Sequence, residues 1–173
     1  MEAANSEYSK FVAVYGRRRV GKTFLIRETF NYTFTSQHTG LARGKMKEQL
    51  LSFRESLKKD SGKKYNQFKN WYEAFFALEE WLGSLLDGKK IVFFDELPWM
   101  DTPRSNFISG SEHFGNSWAS ARKDILLIAG RSAASWIVNK LINNHVIDWP
   151  TESCFIHFCS LNVNNIQKRI NWA

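Results

Sequence analysis

Residues 10–23 read Lys10-Phe11-Val12-Ala13-Val14-Tyr15-Gly16-Arg17-Arg18-Arg19-Val20-Gly21-Lys22-Thr23. The first half is a short apolar run that stops at a glycine, the pattern of a buried strand. The second half fits G-x-x-x-x-G-K-[ST] at every fixed position. Such a match arises by chance in under about one chain of this length in a hundred. Its setting sharpens it, because Gly21 to Glu28 reads as a helix following the strand. Glycines let the backbone wrap a phosphate, and successive N–H groups at a helix N-terminus supply positive potential there. Gly16, Arg17, Arg18, Arg19, Val20, Gly21, Lys22, Thr23 and Phe24 are thus the candidate nucleotide-binding residues. Lys22 is expected to reach the β- and γ-phosphates and Thr23 to ligate Mg²⁺. The three arginines either add phosphate contacts or crown the loop in solvent, the latter for at least two of them.

A bound Mg²⁺·nucleotide needs an acceptor from a second strand, and Ile91-Val92-Phe93-Phe94-Asp95-Glu96 supplies one. Four apolar residues cross the core and two carboxylates emerge at the carboxyl end, the edge where open α/β sheets bind ligands. Asp95 is the expected magnesium partner. Glu96 is placed to polarise an attacking water as general base. A third strand, Asp124 to Ala129, ends at Gly130-Arg131-Ser132. Ser132 either contacts the γ-phosphate or caps the helix expected over Ala133 to Asn143.

Between these motifs, Tyr32 to Thr35 reads as a strand and Gln37 to Gly40 as a loop. Met46, Leu50, Phe53 and Leu57 keep helical spacing, as do Trp71, Phe75, Leu78, Leu82 and Leu85. A polar turn over Lys58 to Lys64 separates the two helices, and Asp87-Gly88 ends the second. Asp101 to Lys123 is expected to be helical in its second half. The alternation of strands and helices predicts a three-layer α/β fold with a mainly parallel sheet, incomplete at its C-terminal end.

A chain of 173 residues with 14 Phe and 7 Trp has material for one domain and its core. No apolar stretch approaches the roughly 20 residues needed to cross a bilayer, so no membrane partner is expected. The N-terminus carries no secretory pattern, and the expected compartment is the cytoplasm. Cys154, His157 and Cys159 match no zinc spacing and read as two reduced thiols in an apolar strand. The net charge of +7 is uneven: residues 41–70 hold nine cations and three anions. That stretch is either a solvated helix face with a lysine-rich loop or a nucleic-acid surface, and composition favours the former.

The runs Phe11 to Glu28, Gln37 to Leu50, Ile91 to Phe107 and Ser117 to Asn144 resemble the bacterial and archaeal AAA-type ATPases often called the archaeal ATPase family. These are P-loop proteins with an additional catalytic glutamate. The resemblance spans roughly residues 8 to 144. It implies an ATP-binding core with Mg²⁺, a Walker A at Gly16 to Thr23, a Walker B at Asp95 with Glu96, and a sensor-1 position at Ser132. Where the family has glycine before that serine, this chain has Arg131. An upstream helix, a later core strand, a helical lid and a C-terminal domain have no match. The expected organisation is therefore an ATPase core over residues 1–144, lacking the lid, and a divergent tail over 145–173, from a truncated or altered product. The expected activity is Mg-dependent ATP hydrolysis. The rivals are a non-hydrolysing nucleotide-binding fragment and a nucleic-acid-associated ATPase. A protein partner or self-association is also open.

Overall fold

The computed structural model describes residues 9–16, 21–86, 88–130, 136 and the strand 154–158. Five strands form one sheet: β1 (Lys10–Gly16), β2 (Ser36–Thr39), β3 (Lys90–Asp95), β4 (Ile125–Gly130) and β5 (Cys154–Phe158). Their order across the sheet is β2-β3-β4-β1-β5, and every pairing is parallel. The sheet is the expected parallel one, and the segment Cys154–Phe158 supplies its edge strand beside β1. No helix among the described residues is long and apolar enough to cross a membrane.

The three layers follow from the period-2 alternation of side chains in a strand. Val12 and Val14 of β1, Phe93 of β3, and Leu126 and Ile128 of β4 share one face. There they meet Leu25 and Ile26 of α1 (Lys22–Thr29). Phe11, Ala13, Val92, Phe94, Ile125, Leu127 and Ala129 take the other face. They pack under α2 (Met46–Ser61), α3 (Trp71–Ser84) and α4 (Phe107–Glu112). The strands are apolar on both faces because both are covered. The helical stripes read from the sequence are buried as expected, with Leu50, Phe53, Leu57, Trp71, Phe75, Leu78 and Leu82 all in the core. The α2 helix runs past Lys58 to Ser61, and Gly62 caps it in the left-handed conformation. The α3 helix stops at Ser84. Residues 107–119 are helical, α4 passing into a π-helical stretch over His113–Ala119 in which Phe114 stacks on Trp118.

The strand expected over Tyr32 to Thr35 is four residues out of place. Asn31 and Tyr32 have left-handed φ values of 49° and 57° and close the end of α1, with the Tyr32 N–H donating to the Arg27 carbonyl. The strand is Ser36–Thr39, taking in Gln37 to Thr39 of the segment Gln37 to Gly40 read as loop, and it pairs with β3 from Ser36 opposite Val92 to Thr39 opposite Asp95. Its inward side chains are polar, so hydrophobic alternation gives no signal. His38 is fully buried, its ring stacked against those of Phe53 and Phe94. Its Nε2 lies 2.8 Å from Ser36 Oγ and its Nδ1 2.6 Å from Ser56 Oγ. Asp60 at the end of α2 accepts from Ser36 Oγ and from the Gln37 amide, pinning α2 onto β2. Buried polar groups are tolerated when they are bonded in this way.

At the amino edge of the sheet a second polar cluster joins β3 to β4. The buried Lys90 ammonium donates to Asp124 Oδ2 at 2.6 Å and to the carbonyls of Leu86 and Gly88. Arg122 meets the same carboxylate in a two-pronged contact and lies over the Trp118 ring. The Arg122 hydrogen bonds, with help from Lys90, pull the Asp124 carboxyl down to about 2.

Burial pushes the His38 imidazole down to about 3. Between that value and its ordinary one near 6.5 the unfolded chain binds a proton that the native chain refuses, so native stability falls as pH drops through this window. The stability gap between wild type and His38→Gln, measured by urea unfolding, is expected to narrow on the order of 3 kcal/mol from pH 7 to pH 3. A gap that does not change with pH would contradict the neutral, buried state of His38.

Candidate functional site

All five strands run the same way, so their carboxyl ends lie at one edge. β1 delivers Gly16 there, β3 delivers Asp95, and β4 places Gly130 directly opposite Asp95. After Gly16 the chain re-enters the described structure at Gly21, whose φ of 80° and ψ of 18° form the left-handed turn that admits glycine without strain. The α1 helix then begins at Lys22. The amides of Lys22, Thr23 and Phe24 are at its start, where no carbonyl lies one turn earlier in the helix, and the helix dipole favours an anion.

Lys22 is buried, and its ammonium donates to the Gly16 carbonyl at 3.1 Å, across the mouth of the loop. Burial lowers its pKa, while the charges of Glu96 and Asp95 act in the opposite direction. Thr23, one residue on, donates its hydroxyl to Asp95, at 3.2 Å from Oδ1 and 3.1 Å from Oδ2. Asp95 is only 7% exposed. Burial raises its pKa and the Thr23 hydrogen bond opposes that, with the Glu96 charge adding to the rise. Its Oδ1 also accepts the Glu96 amide at 3.1 Å. Glu96 is half-buried and leaves the strand in a left-handed conformation, φ 49° and ψ 43°, that opens a 3₁₀ turn over Leu97–Trp99.

The structure therefore brings together Gly16, Gly21, Lys22, Thr23, Asp95 and Glu96. Phe24 stands at the start of α1 with its ring 58% exposed. Arg17, Arg18, Arg19, Val20, Ser132 and Cys159 lie outside the described residues, as does the helix expected over 133–143 apart from Trp136. The Trp136 indole donates to Asp101 Oδ2 at 3.0 Å. The Thr23 hydroxyl and the Asp95 carboxylate are hard oxygen donors held within hydrogen-bond distance of each other, a set that suits Mg²⁺.

Two glycines of the site carry no motif in the sequence. Gly40 follows β2 and lies against the Glu96 carbonyl, and Gly130 ends β4 against Asp95, where a β-carbon would lie 3.1 Å from Oδ1. Their signal is positional: each is the residue at which a core strand gives out.

No protein-family model and no curated protein matches the sequence. The fold does match solved structures. It superposes on a Walker-type ATPase of Pyrococcus abyssi with a TM-score of 0.56 and 16% identity, over 92% of this chain and 57% of that one. A structure of Drosophila ORC bound to DNA gives 0.49 and 13%, over 92% of this chain and 87% of that one. The chain thus has the α/β fold of P-loop ATPases and spans little more than half the length of the archaeal ATPase it matches.

Because burial makes ionised Asp95 costly in the metal-free chain, a neutral isostere should relieve that cost. Asp95→Asn is expected to melt a few degrees above wild type at pH 7 without metal, and to lose any stabilisation that Mg²⁺ with nucleotide gives the wild type. Thermal scans of both proteins, with and without Mg²⁺ and nucleotide, check this. A lower melting temperature for the metal-free variant would refute it.

Proposed function

We propose that this chain is an AAA-type P-loop ATPase core, assigned to residues 1–144 with 145–173 as a divergent tail that lends the sheet its edge strand Cys154–Phe158, and that it binds ATP with Mg²⁺ and hydrolyses it. The observation that carries this reading is the contact of Thr23 with Asp95, 72 positions apart in sequence. It supports a shared ion site between the helix that follows the phosphate loop and the acidic strand β3, one strand removed from β1. In this reading the first-turn amides of α1 and the Lys22 ammonium hold the β- and γ-phosphates, and Thr23 and Asp95 hold the metal. Bound Mg²⁺ would neutralise phosphate charge. Glu96 takes the proton of the attacking water as its oxygen bonds to the γ-phosphorus and the bond to ADP breaks. Ser132 is assigned to the γ-phosphate or the water. Phosphoryl transfer depends mostly on positioning and charge stabilisation, so a core with Lys22, Thr23, Asp95 and Glu96 can turn over slowly.

Phosphate release measured in wild type, Lys22→Ala and Glu96→Gln tests the proposal. Wild type is expected to turn over ATP only with Mg²⁺. Lys22→Ala should lose nucleotide binding, and Glu96→Gln should keep binding while losing about 10²-fold or more in rate. Equal rates in all three would remove the catalytic role, and tight ATP binding without release would favour a non-hydrolysing module.

A second surface supports the nucleic-acid variant of this reading. The three anions of residues 41–70 are each engaged within the fold. Glu48 accepts the Lys45 amide at the start of α2, Glu55 pairs with Arg54 and Lys58, and Asp60 bonds to β2. Arg43, Lys47, Lys59, Lys64 and Lys69 are exposed and form no ion pair among the described residues. Binding of single- or double-stranded DNA there should weaken by at least about tenfold between roughly 50 and 200 mM salt. Affinity that ignores salt, or that survives Lys47→Ala with Lys58→Ala and Lys59→Ala, would eliminate this surface.

A further inference from the structure

Strand β2 ends with Thr39 opposite Asp95, and the next residue, Gly40, donates its N–H to the Asp95 carbonyl at 3.0 Å. At that point the acidic strand leaves the sheet. Glu96 sits in the left-handed basin, and its carbonyl accepts the Trp99 amide at 3.0 Å. The face of Gly40 lies against this corner: a β-carbon there would stand 2.5 Å from the Glu96 carbonyl oxygen and 2.9 Å from Trp99 Cβ. The first obstacle is backbone and the second is the root of a side chain, so neither can swing aside. Gly40 is held by its own hydrogen bond to Asp95, so β2 cannot retreat without breaking the pairing that places it.

The left-handed basin is narrow for a residue with a side chain. Pushing the Glu96 carbonyl aside therefore displaces the Cα from which the carboxylate departs, and reactions of this kind are sensitive to misplacement of about 1 Å. We infer that Gly40 is a positioning residue for Glu96: the absence of a side chain at the end of β2 fixes the direction in which the carboxylate leaves β3. Gly40 touches no substrate in this scheme and acts through Glu96. The inference rests on the assignment of Glu96 as the base.

The test is Gly40→Ala, assayed for kcat and for equilibrium ATP binding, alone and combined with Glu96→Gln. Alone, it should lower kcat at least tenfold while the Kd for ATP stays within about threefold of wild type. In the Glu96→Gln background it should lower the residual rate by less than twofold, because a displaced carboxamide has no base function left to lose. A merely structural glycine would show the same loss in both backgrounds or lose ATP binding in parallel, and either result overturns the inference. A wild-type rate in Gly40→Ala with Glu96→Gln inactive overturns it alone. A wild-type rate in Glu96→Gln overturns the base assignment and this inference together. Should the single variant not fold, Gly40→Ala with Trp99→Gly removes the 2.9 Å contact and lets the turn yield. The same split between kcat and Kd is expected there, and an unchanged kcat counts against the inference.

Discussion

The Thr23 hydroxyl donates into the Asp95 carboxylate, and the placement of nearly every other functional group follows from what makes that contact possible. The two residues belong to β1's helix and to β3, which are separated in the sheet by β4. They meet because parallel strands present all their carboxyl ends at one edge and because α1 packs across the face formed by Val12, Val14, Phe93, Leu126 and Ile128. Removing the apolar side chains that β1, β3 and β4 turn to this face would leave no platform on which α1 could bring Thr23 to Asp95.

Two aspartates at opposite edges of the sheet differ in how their charge is met. Asp124 is matched by Arg122 and Lys90, and its carboxyl is held at about 2. Asp95 is more deeply buried, with a hydroxyl and an amide as its hydrogen-bond donors, and burial raises its pKa. The Thr23 hydrogen bond and the charge of Arg27 oppose that rise, and the Glu96 charge adds to it.

Much of this was legible in the chain because the relevant signals are local. The G-x-x-x-x-G-K-[ST] motif after β1 carries fixed letters at fixed spacing. The fully apolar runs of β1, β3 and β4 announce strands covered on both faces, and Asp95 and Glu96 stand where such a run ends. The α2 and α3 stripes keep the helical period without interruption. Strand β2 was illegible for a physical reason. Its buried positions are Ser36 and His38, whose cost is met by Ser56 and Asp60 from α2, residues 18 to 24 positions away. A pattern based on hydrophobicity cannot detect a strand whose inward face is polar and satisfied from elsewhere. Gly40 and Gly130 were hidden likewise, since a missing side chain matters only in view of the atom that would strike it.

The sequence by itself determined the alternating α/β architecture, the G-x-x-x-x-G-K-[ST] motif and the acidic pair, because each depends on residues within a few positions of one another. Only the tertiary structure decided the order of the strands, the pairing of Cys154–Phe158 with β1, the meeting of Thr23 with Asp95 and the corner where Gly40 confronts Glu96. Those features arise from sheet order and close packing between distant segments, and no local spacing encodes which backbone atom will lie 2.5 Å from a β-carbon that is not there.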